Sequence, residues 1–348
     1  MDFTPDYTNL VNAARNIRPT RMPLYEHGIC DEIMEKITGK KFAQLRGGNT
    51  NEKREYYTNI AVFYKLMGYD TISFECGIAS VMPGSGALNS HRPGIIKCRA
   101  DFDKYPWDSI HDKFFDAYSK DFEILGEVMP EGMKAVGGPG YGLFECVQDV
   151  VGYMDLCYIS VDDRELYEEL FSKMGEVMKS IWSTFLKKFS NTFAVCRFGD
   201  DLGFRTTTLI SEGDIKELVI PQYKSIIEVV HSYNKPFLLH SCGNIFNVMD
   251  DLINIAKIDA KHSNEDAIAP FQVWVDKYGD KIGNFGGIDT DMLCRGSEET
   301  IKDKVKEVMS YSVNHGGFAL GSGNSIPHYV PVEGYLAMIE TARKLRNE

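Results

Sequence analysis

The segment Phe237-Leu238-Leu239-His240-Ser241-Cys242-Gly243-Asn244 is an apolar run that ends abruptly in side chains able to bind metals. Such a run predicts a buried strand with polar groups at its C-terminal end, where parallel α/β folds carry their chemistry. His240 and Cys242 are two positions apart, so on a regular strand both face the same side. An imidazole beside a thiol is half of a tetrahedral zinc site. The alternative is structural: a thiol packed as a small apolar group and a histidine whose hydrogen bonds are satisfied.

Similar runs alternate with stretches of helical periodicity along the whole chain. Eight runs are predicted to be strands: Met22–Gly28, Asp70–Gly77, Lys134–Gly140, Thr192–Gly203, Phe237–Asn244, Ile258–Glu265, Ile282–Asp289 and Gly317–Asn324. This alternation, with no linker composition, predicts one α/β domain over residues 1–348, a (β/α)8 TIM-type barrel with an N-terminal helical extension over residues 1–20. An open doubly wound sheet is disfavoured because no glycine fingerprint follows the first strand.

Composition and charge exclude several classes of partner. The chain has 348 residues, 43% of them hydrophobic, and a formal net charge of -12 at pH 7. An acidic surface argues against nucleic acid and against anionic membranes as partners. No segment is apolar enough to span a bilayer and the N-terminus does not resemble a signal peptide, so we expect a cytoplasmic protein. The eight cysteines have no framework spacing and are expected to be reduced.

In a barrel all strand ends meet on one face, so the polar residues at the eight tips are expected to converge there. The set carries a net negative charge, which favours a bound cation. We expect catalytic roles for Glu75, Asp200 and His262. The metal ligands are expected to be His240, Cys242 and Glu75. Substrate contacts are expected from residues on or beside the tips: Tyr25, Glu26, His27, Phe74, Arg197, Asp289, Ser322 and Asn324.

Some of these assignments have structural alternatives. Glu26 is also a candidate for a salt bridge with Arg197 or Arg205. His262 is also a candidate for capping the helix that follows it. The connection over residues 78–112 is rich in glycine and proline and is expected to form a lid or binding loop, with Tyr105 and Trp107 as an apolar wall.

The pocket among the tips is expected to take a small ligand that is at most weakly anionic, because Arg197 and Arg205 are the only obvious basic residues near it. Aromatic residues near the tips favour a flat ring over a short aliphatic donor, although core packing is the alternative for each of them. They are Tyr25, Phe74, Trp107, Phe198 and Phe204.

Four motifs resemble the uroporphyrinogen decarboxylase superfamily, in the order and spacing of that family. They are Gly199-Asp200-Asp201-Leu202-Gly203, the His240–Asn244 motif, Phe285-Gly286-Gly287-Ile288-Asp289 and the segment Pro327–Ala342. The resemblance runs from about Arg18 to the C-terminus and implies the barrel fold. The decarboxylases of the family carry an Arg-Gln-Ala-Gly-Arg segment after strand one and a catalytic aspartate after strand two. This chain has Tyr25-Glu26-His27-Gly28 and Glu75-Cys76 there, so decarboxylation of uroporphyrinogen is not expected.

The His-x-Cys pair resembles the corrinoid-linked methyltransferase branch. In that branch zinc is held by the His, by the Cys two residues later and by a further Cys after strand eight. The last position is empty here, since Gly321-Ser322-Gly323-Asn324 contains no cysteine. The resemblance leaves the third ligand open, with Glu75, Cys76, Glu26 and Glu145 as candidates. With one thiolate fewer, zinc is a stronger Lewis acid, which suits activation of a methyl ether.

The resemblance implies a zinc-dependent methyltransferase that moves a methyl group from a small methylated substrate, expected to be a methoxylated aromatic, to the cobalt of a corrinoid. The chain has no Asp-x-His-x-x-Gly motif for binding a corrinoid, so this cofactor is expected on a partner protein. One alternative is transfer from a methylcorrinoid to a thiol such as coenzyme M. Others are a uroporphyrinogen decarboxylase-like protein or a non-catalytic corrinoid- or tetrapyrrole-binding protein. A homodimer is left open.

Overall fold

The computed structural model describes residues 3–88 and 92–346. Seven parallel strands form one curled sheet, in which the neighbours follow the order of the chain. The strands are β1 Thr71–Gly77, β2 Lys134–Gly140, β3 Phe193–Gly199, β4 Phe237–His240, β5 Ala260–His262, β6 Gly283–Ile288 and β7 Phe318–Ser322. Helices surround the sheet, so the predicted TIM-barrel-like α/β fold is confirmed.

Helices fill the connections between the strands. They are α1 Thr8–Ala14, α2 Asp31–Thr38, α3 Thr50–Met67, α4 Arg99–Lys104, α5 Ser109–Val128, α6 Leu143–Val151, α7 Tyr153–Asp162, α8 Arg164–Phe189, α9 Glu212–Asp214, α10 Ile220–Ser232, α11 Met249–Asp251, α12 Phe271–Tyr278, α13 Thr290–Arg295, α14 Glu298–Ser312 and α15 Val332–Leu345. Single 3-10 turns occupy Ala43–Leu45, Ala79–Val81 and Phe246–Val248, and π-helical turns occupy Ile215–Val219 and Leu252–Ala256. Within the described ranges, no helix is long and apolar enough to cross a membrane.

The first predicted strand, Met22–Gly28, is not part of the ladder. It lies as an extended segment beside β7, where the Tyr25 N–H donates to the Leu320 carbonyl at 2.8 Å. On its other side the Ser73 hydroxyl of β1 donates to the Glu26 carbonyl. The prediction of an eighth regular strand is therefore wrong, although this segment bridges β7 and β1.

Small and apolar side chains fill the lower interior of the barrel. They are Val136, Ala194, Leu238, Ala260, Phe285 and Ala319 from the strands and Leu10, Ala13 and Ala14 from α1, all at most 1% exposed. Because α1 packs against β3, β6 and β7 from below, it closes the N-terminal end of the barrel. Polar chemistry is left to the C-terminal end, as in other barrels of this type.

The predicted lid contributes several buried residues to the core in its described part. Trp107 is only 6% exposed. Its ring centroid lies 4.5 Å from that of Tyr105, and its indole N–H donates to the Phe102 carbonyl at 3.1 Å. Tyr105 and Trp107 are thus largely buried, and neither lines the cavity at the barrel mouth. Residues 89–91, which belong to the same predicted loop, lie outside the described residues.

Candidate metal centre

Inward-facing residues at the C-terminal end of the barrel form a buried polar layer. The register of β4 and β5 places His240 directly beside His262. The ring of His27, from the extended segment, stacks on His240 with the centroids 3.7 Å apart. Arg197 from β3 reaches Glu75 from β1 at 2.8 Å. The structure therefore brings five of the predicted site residues from five parts of the chain into one layer.

A chain of hydrogen bonds fixes the tautomer of His240. His262 Nε2 lies 2.9 Å from the Ser322 carbonyl oxygen, which can only accept, so this nitrogen carries the hydrogen. Burial lowers the pKa of His262 to about 3 and lowers that of His240 well below its usual value, so both rings are neutral. Their Nδ1 atoms are 2.7 Å apart, and only His240 has a hydrogen left to donate there. His240 Nε2 therefore keeps its lone pair.

That lone pair belongs to a set of three possible metal ligands. Cys242 Sγ lies 3.4 Å and Asp201 Oδ1 3.9 Å from His240 Nε2, and all three atoms lie within 4.8 Å of one another. Nitrogen, sulfur and carboxylate oxygen are the donors of zinc sites, and three protein ligands are usual where zinc is catalytic. His27, His240 and His262 form a second close group in the described part of the chain. That group is the poorer site, because a hydrogen bond between His240 and His262 already occupies both Nδ1 atoms.

The surroundings of Cys242 suit a metal-bound thiolate. The Ser263 hydroxyl and the Asn324 amide each lie 3.4 Å from its sulfur, in positions to donate to it. Burial raises the pKa of the Cys242 thiol, and the Asp201 carboxylate raises it further. A cation within the ligand set would reverse this effect, because it stabilises the thiolate. The residues present therefore fit a zinc ion.

Asp201 reaches the site through a close contact between two loops. The Cys242 N–H donates to Asp201 Oδ1 at 2.9 Å. Gly243 has a φ of +83°, and a Cβ there would lie 2.0 Å from the carbonyl carbon of Gly203, so the two backbones touch. The sequence placed Asp201 at a strand tip but did not name it as a ligand, and it named Glu75 instead. Gly203 and Gly243, which follow Asp201 and Cys242, are the features of the sequence that could have indicated this close contact between the two loops.

Glu75 is engaged elsewhere in the layer. Arg197 donates to Glu75 Oε2 from Nη2 at 2.8 Å and from Nε at 3.2 Å. Its Nη1 donates to the Tyr25 hydroxyl at 2.9 Å and to the His27 carbonyl at 2.8 Å, and Arg197 is only 1% exposed. These groups satisfy one another, so the geometry does not support Glu75 as a metal ligand or Arg197 and Tyr25 as open substrate contacts. Glu75 therefore takes the place that was predicted for Glu26 as the ion-pair partner of Arg197.

Glu26 is a buried, protonated acid that joins the extended segment to β7. It is 1% exposed, and burial raises its pKa to about 8. Its Oε1 accepts the Ser322 N–H at 3.0 Å. Since the Ser322 hydroxyl lies 2.8 Å from the Asn324 carbonyl, to which it can only donate, the proton in its contact with Glu26 Oε2 must come from the glutamic acid. Glu26 and the Ser322 side chain are thus mutually satisfied and do not face substrate.

Asp200 caps a helix instead of entering the barrel. Its carboxylate accepts the N–H groups of Phe144 and Glu145, each at 2.9 Å, at the start of α6, and it also accepts the Tyr223 hydroxyl. Burial raises the pKa of Asp200 to about 6. These contacts favour a structural role over the predicted catalytic one. Glu145, which was another candidate for the third ligand, lies in the first turn of the same helix. Burial, followed by the charges of Asp200 and Asp201, raises the pKa of its carboxyl group well above the usual value.

The structure also accounts for Cys76, a candidate ligand, and for His262, a predicted catalytic residue. Burial, followed by the Asp121 carboxylate, raises the pKa of the Cys76 thiol, and Cys76 faces the helices outside β1. His262 is fully buried between His240 and Ser322, so it does not cap the following helix as the alternative interpretation suggested.

A cavity of about 960 Å³ opens at the barrel mouth beside this centre. Asn324, which contacts the Cys242 sulfur, lines it together with Asp289, whose carboxylate accepts the N–H groups of Asp266 and Asp291 at 2.7 Å. Three polar atoms on its lining residues are buried and lack a partner within the described ranges: Asn264 Nδ2, Asp266 Oδ1 and Thr290 Oγ1. Unpaired buried polar atoms are costly, which favours a polar ligand in this cavity.

The aromatic wall that the sequence predicted is not part of this mouth cavity. Its five members were Tyr25, Phe74, Trp107, Phe198 and Phe204, and none of them lines it. Phe198 packs on Tyr223 and Phe237 in the helix layer, and Phe204 is 62% exposed. For Phe74 and Phe198 the reason is that strand residues next to inward-facing ones point outward. Tyr25 does face inward, but its hydroxyl is engaged by Arg197 below the mouth cavity.

Comparisons with known proteins agree with this architecture. A family model described as Uroporphyrinogen decarboxylase (URO-D) matches residues 97–345. No curated protein gives a significant match. A solved methyltransferase from Methanosarcina mazei has a TM-score of 0.70 at 15% identity, over 97% of this chain and 98% of that one. A putative vitamin-B12 independent methionine synthase from Listeria monocytogenes has a TM-score of 0.54 at 13% identity, over 95% and 98% of the two chains. At these identities the two likenesses show the fold.

Proposed function

Because the chain belongs to the uroporphyrinogen decarboxylase family, we propose that it is one of the methyltransferases with this fold. It would move a methyl group from a small methylated substrate to the cobalt of a corrinoid carried by a separate protein. The observation that carries the proposal is the convergence of Asp201, His240 and Cys242 within 4.8 Å, beside a cavity at the barrel mouth. The M. mazei methyltransferase, with the same fold, supports the reaction class.

Asp201, His240 and Cys242 would hold zinc. Bound there, zinc acts as a Lewis acid on the oxygen of the methyl donor and stabilises the negative charge of the leaving group. His262 keeps the lone pair of His240 directed at the metal position by accepting its Nδ1 hydrogen. Asn324 donates to the sulfur of Cys242 and, because it also lines the cavity, stands between the ligand set and the substrate.

The mouth cavity would receive both the substrate and the corrinoid face of the partner protein. It offers donors from Arg205, Arg295 and Asn264 and acceptors from Asp266 and Asp291, a mixture that suits the amide groups around a corrin ring. In the transfer the carbon–oxygen bond breaks, both its electrons stay on oxygen, and cobalt in its nucleophilic Co(I) state forms the new bond to the methyl carbon. A methoxylated aromatic is the donor that the sequence predicts.

Metal analysis and a cobalt assay test the proposal together. We expect about one zinc per chain in the purified protein, and its loss from the Cys242→Ala and Asp201→Ala variants. Cys157→Ala, which removes an exposed thiol far from the ligand set in sequence, is the matched control and should keep full zinc. Free cob(I)alamin is then mixed with the protein and, in turn, methoxyarenes, methanol, methylamines or no donor, and methylcobalt formation is followed by absorbance.

The outcomes separate the parts of the proposal. Methylation from methanol or an amine alone would replace the aromatic donor. Transfer only from methylcobalamin to an added thiol would reverse the direction. A protein that binds zinc only through residues other than His240 and Cys242, or that retains full zinc as Cys242→Ala, would overturn the assigned centre.

A further inference from the structure

A second cavity, of about 440 Å³, lies outside the barrel between β1, α3 and α5. It is large enough for a small molecule. Phe74 and Cys76 enter it from the outer face of β1, and Glu75, whose carboxylate is paired with Arg197, also lines it. Tyr57 and Tyr118 enter it from α3 and α5, and Tyr141 closes the end near the barrel mouth.

Four aromatic rings give this cavity flat walls. They belong to Tyr57, Phe74, Tyr118 and Tyr141. The Tyr57 and Phe74 rings meet edge to face, with their centroids 5.3 Å apart. Gly77 makes room for Tyr141, since a Cβ at residue 77 would lie 2.7 Å from that ring. Rings in such arrangements favour another planar ring as ligand.

The charges around the cavity leave one cation available. Lys53 donates to Asp121 Oδ2 at 2.7 Å, and Tyr57 donates to the other oxygen at 2.7 Å, so these three groups satisfy one another. Arg46 has no ion pair within 4.0 Å and no side-chain hydrogen bond within residues 3–88 and 92–346, and its guanidinium lies 6.0 Å from the Tyr56 ring centroid. The Asp31 carboxylate, which accepts the Tyr56 hydroxyl at 2.9 Å, interacts with it electrostatically without a direct contact. In a chain with a net charge of -12, a cavity with an available guanidinium is a local site for an anion.

We propose that this cavity binds a planar aromatic carboxylate, with its ring between the four aromatic side chains and its carboxylate on Arg46. A guanidinium matches a carboxylate with two parallel hydrogen bonds, which an ammonium cannot reproduce. Cys76 supplies an apolar floor, because its thiol is buried and stays neutral. The site needs neither zinc nor a corrinoid, so it stands independently of the proposed methyl transfer.

Calorimetric titration of the zinc-depleted full-length protein tests this site with three probes of similar size. Benzoate has the ring and the charge, benzamide has only the ring, and cyclohexanecarboxylate has only the charge. We expect benzoate to bind at least about tenfold more tightly than either of the others. Arg46→Gln should weaken benzoate binding about tenfold or more and leave benzamide unchanged. Arg205→Gln, which removes an arginine from the other cavity, is the matched control and should bind benzoate like the wild type.

A second variant locates the site independently of charge. Ala117 is an exposed residue of α5 on the rim of the cavity, so Ala117→Trp should fill the entrance without disturbing the core and should abolish benzoate binding. Benzoate that binds Arg46→Gln or Ala117→Trp as tightly as the wild type would overturn the assignment. The absence of benzoate binding to the wild-type protein at millimolar concentration would overturn it as well.

Discussion

Glu26→Gln is expected to change how the stability of this protein depends on pH. Glu26 is buried, and its protonated form satisfies both contacts with Ser322, which glutamine can reproduce with one amide donor and one carbonyl acceptor. Burial raises the pKa of Glu26 from 4.5 to about 8. The folded state therefore binds a proton that the unfolded state releases between these two values. The contribution of Glu26 to the free energy of unfolding is therefore fully present below about pH 4.5 and is lost as the pH rises toward 8.

The size of the effect follows from the shift. Each pKa unit corresponds to about 1.4 kcal/mol, so a rise from 4.5 to about 8 gives a loss of about 5 kcal/mol once the pH exceeds 8. Between pH 5 and pH 7 the same shift gives about 2.5 kcal/mol. Glutamine does not titrate, so the Glu26→Gln variant should gain about this much relative to the wild type over that range.

Urea unfolding followed by circular dichroism at pH 5, 6, 7 and 8 measures the difference in the free energy of unfolding between the variant and the wild type. The contributions of the other titrating groups cancel in this difference. Glu35→Gln is the matched control. The Glu35 carboxylate accepts the N–H groups of Phe42 and Ala43 and an ion pair from Lys41, and these contacts lower its pKa to about 2. Its difference from the wild type should therefore stay constant from pH 5 to 8. A Glu26→Gln difference that is equally constant would refute the reasoning.

Three further substitutions separate the roles assigned above. His262→Ala should lower zinc affinity by about 10- to 100-fold while the fold is retained, because the hydrogen bond that fixes the His240 tautomer is lost; unchanged affinity in competition with a chromophoric chelator would contradict this. Asp200→Asn should cost about 1–3 kcal/mol in urea unfolding, because an amide group then faces two N–H donors, and should keep full zinc; loss of zinc without loss of stability would instead indicate a role in the site. Arg197→Ala should cost about 3–5 kcal/mol, since it leaves Glu75 without its partner, and wild-type thermal stability would contradict that assignment.

The strands could largely be predicted from the sequence because they are buried on both faces. Continuous apolar runs such as Phe237–His240 have no other explanation in a chain of alternating helices. The segment Met22–Gly28 also begins with apolar residues and ends in polar ones, and it was misassigned for a local reason. Pro23 lacks an N–H, and the Ser322 N–H of β7 is taken by the Glu26 side chain, so the backbone pairing with β7 is limited to a bridge around Leu24.

The metal ligands could be predicted only in part. His240 and Cys242 are two residues apart, so strand geometry alone places them together. Asp201 is 41 residues from Cys242, and its place depends on how two loops pack. The sequence offered several acidic tips, and periodicity could not show that Arg197 neutralises Glu75 or that Asp200 turns to α6. Which carboxylate remains available is decided by these pairings, which are properties of the folded barrel.

Ser322 influences the metal centre although it is not a ligand. If the hydrogen bond between the two histidines ran in the other sense, His240 Nε2 would carry a hydrogen and could not bind a metal. The Ser322 carbonyl prevents this, because it only accepts and so fixes the hydrogen of His262 on Nε2. Glu26 holds that carbonyl in place by bonding the N–H and hydroxyl of the same residue. Glu26 and Ser322, from opposite ends of the chain, therefore determine whether His240 presents a lone pair or a hydrogen to the metal position.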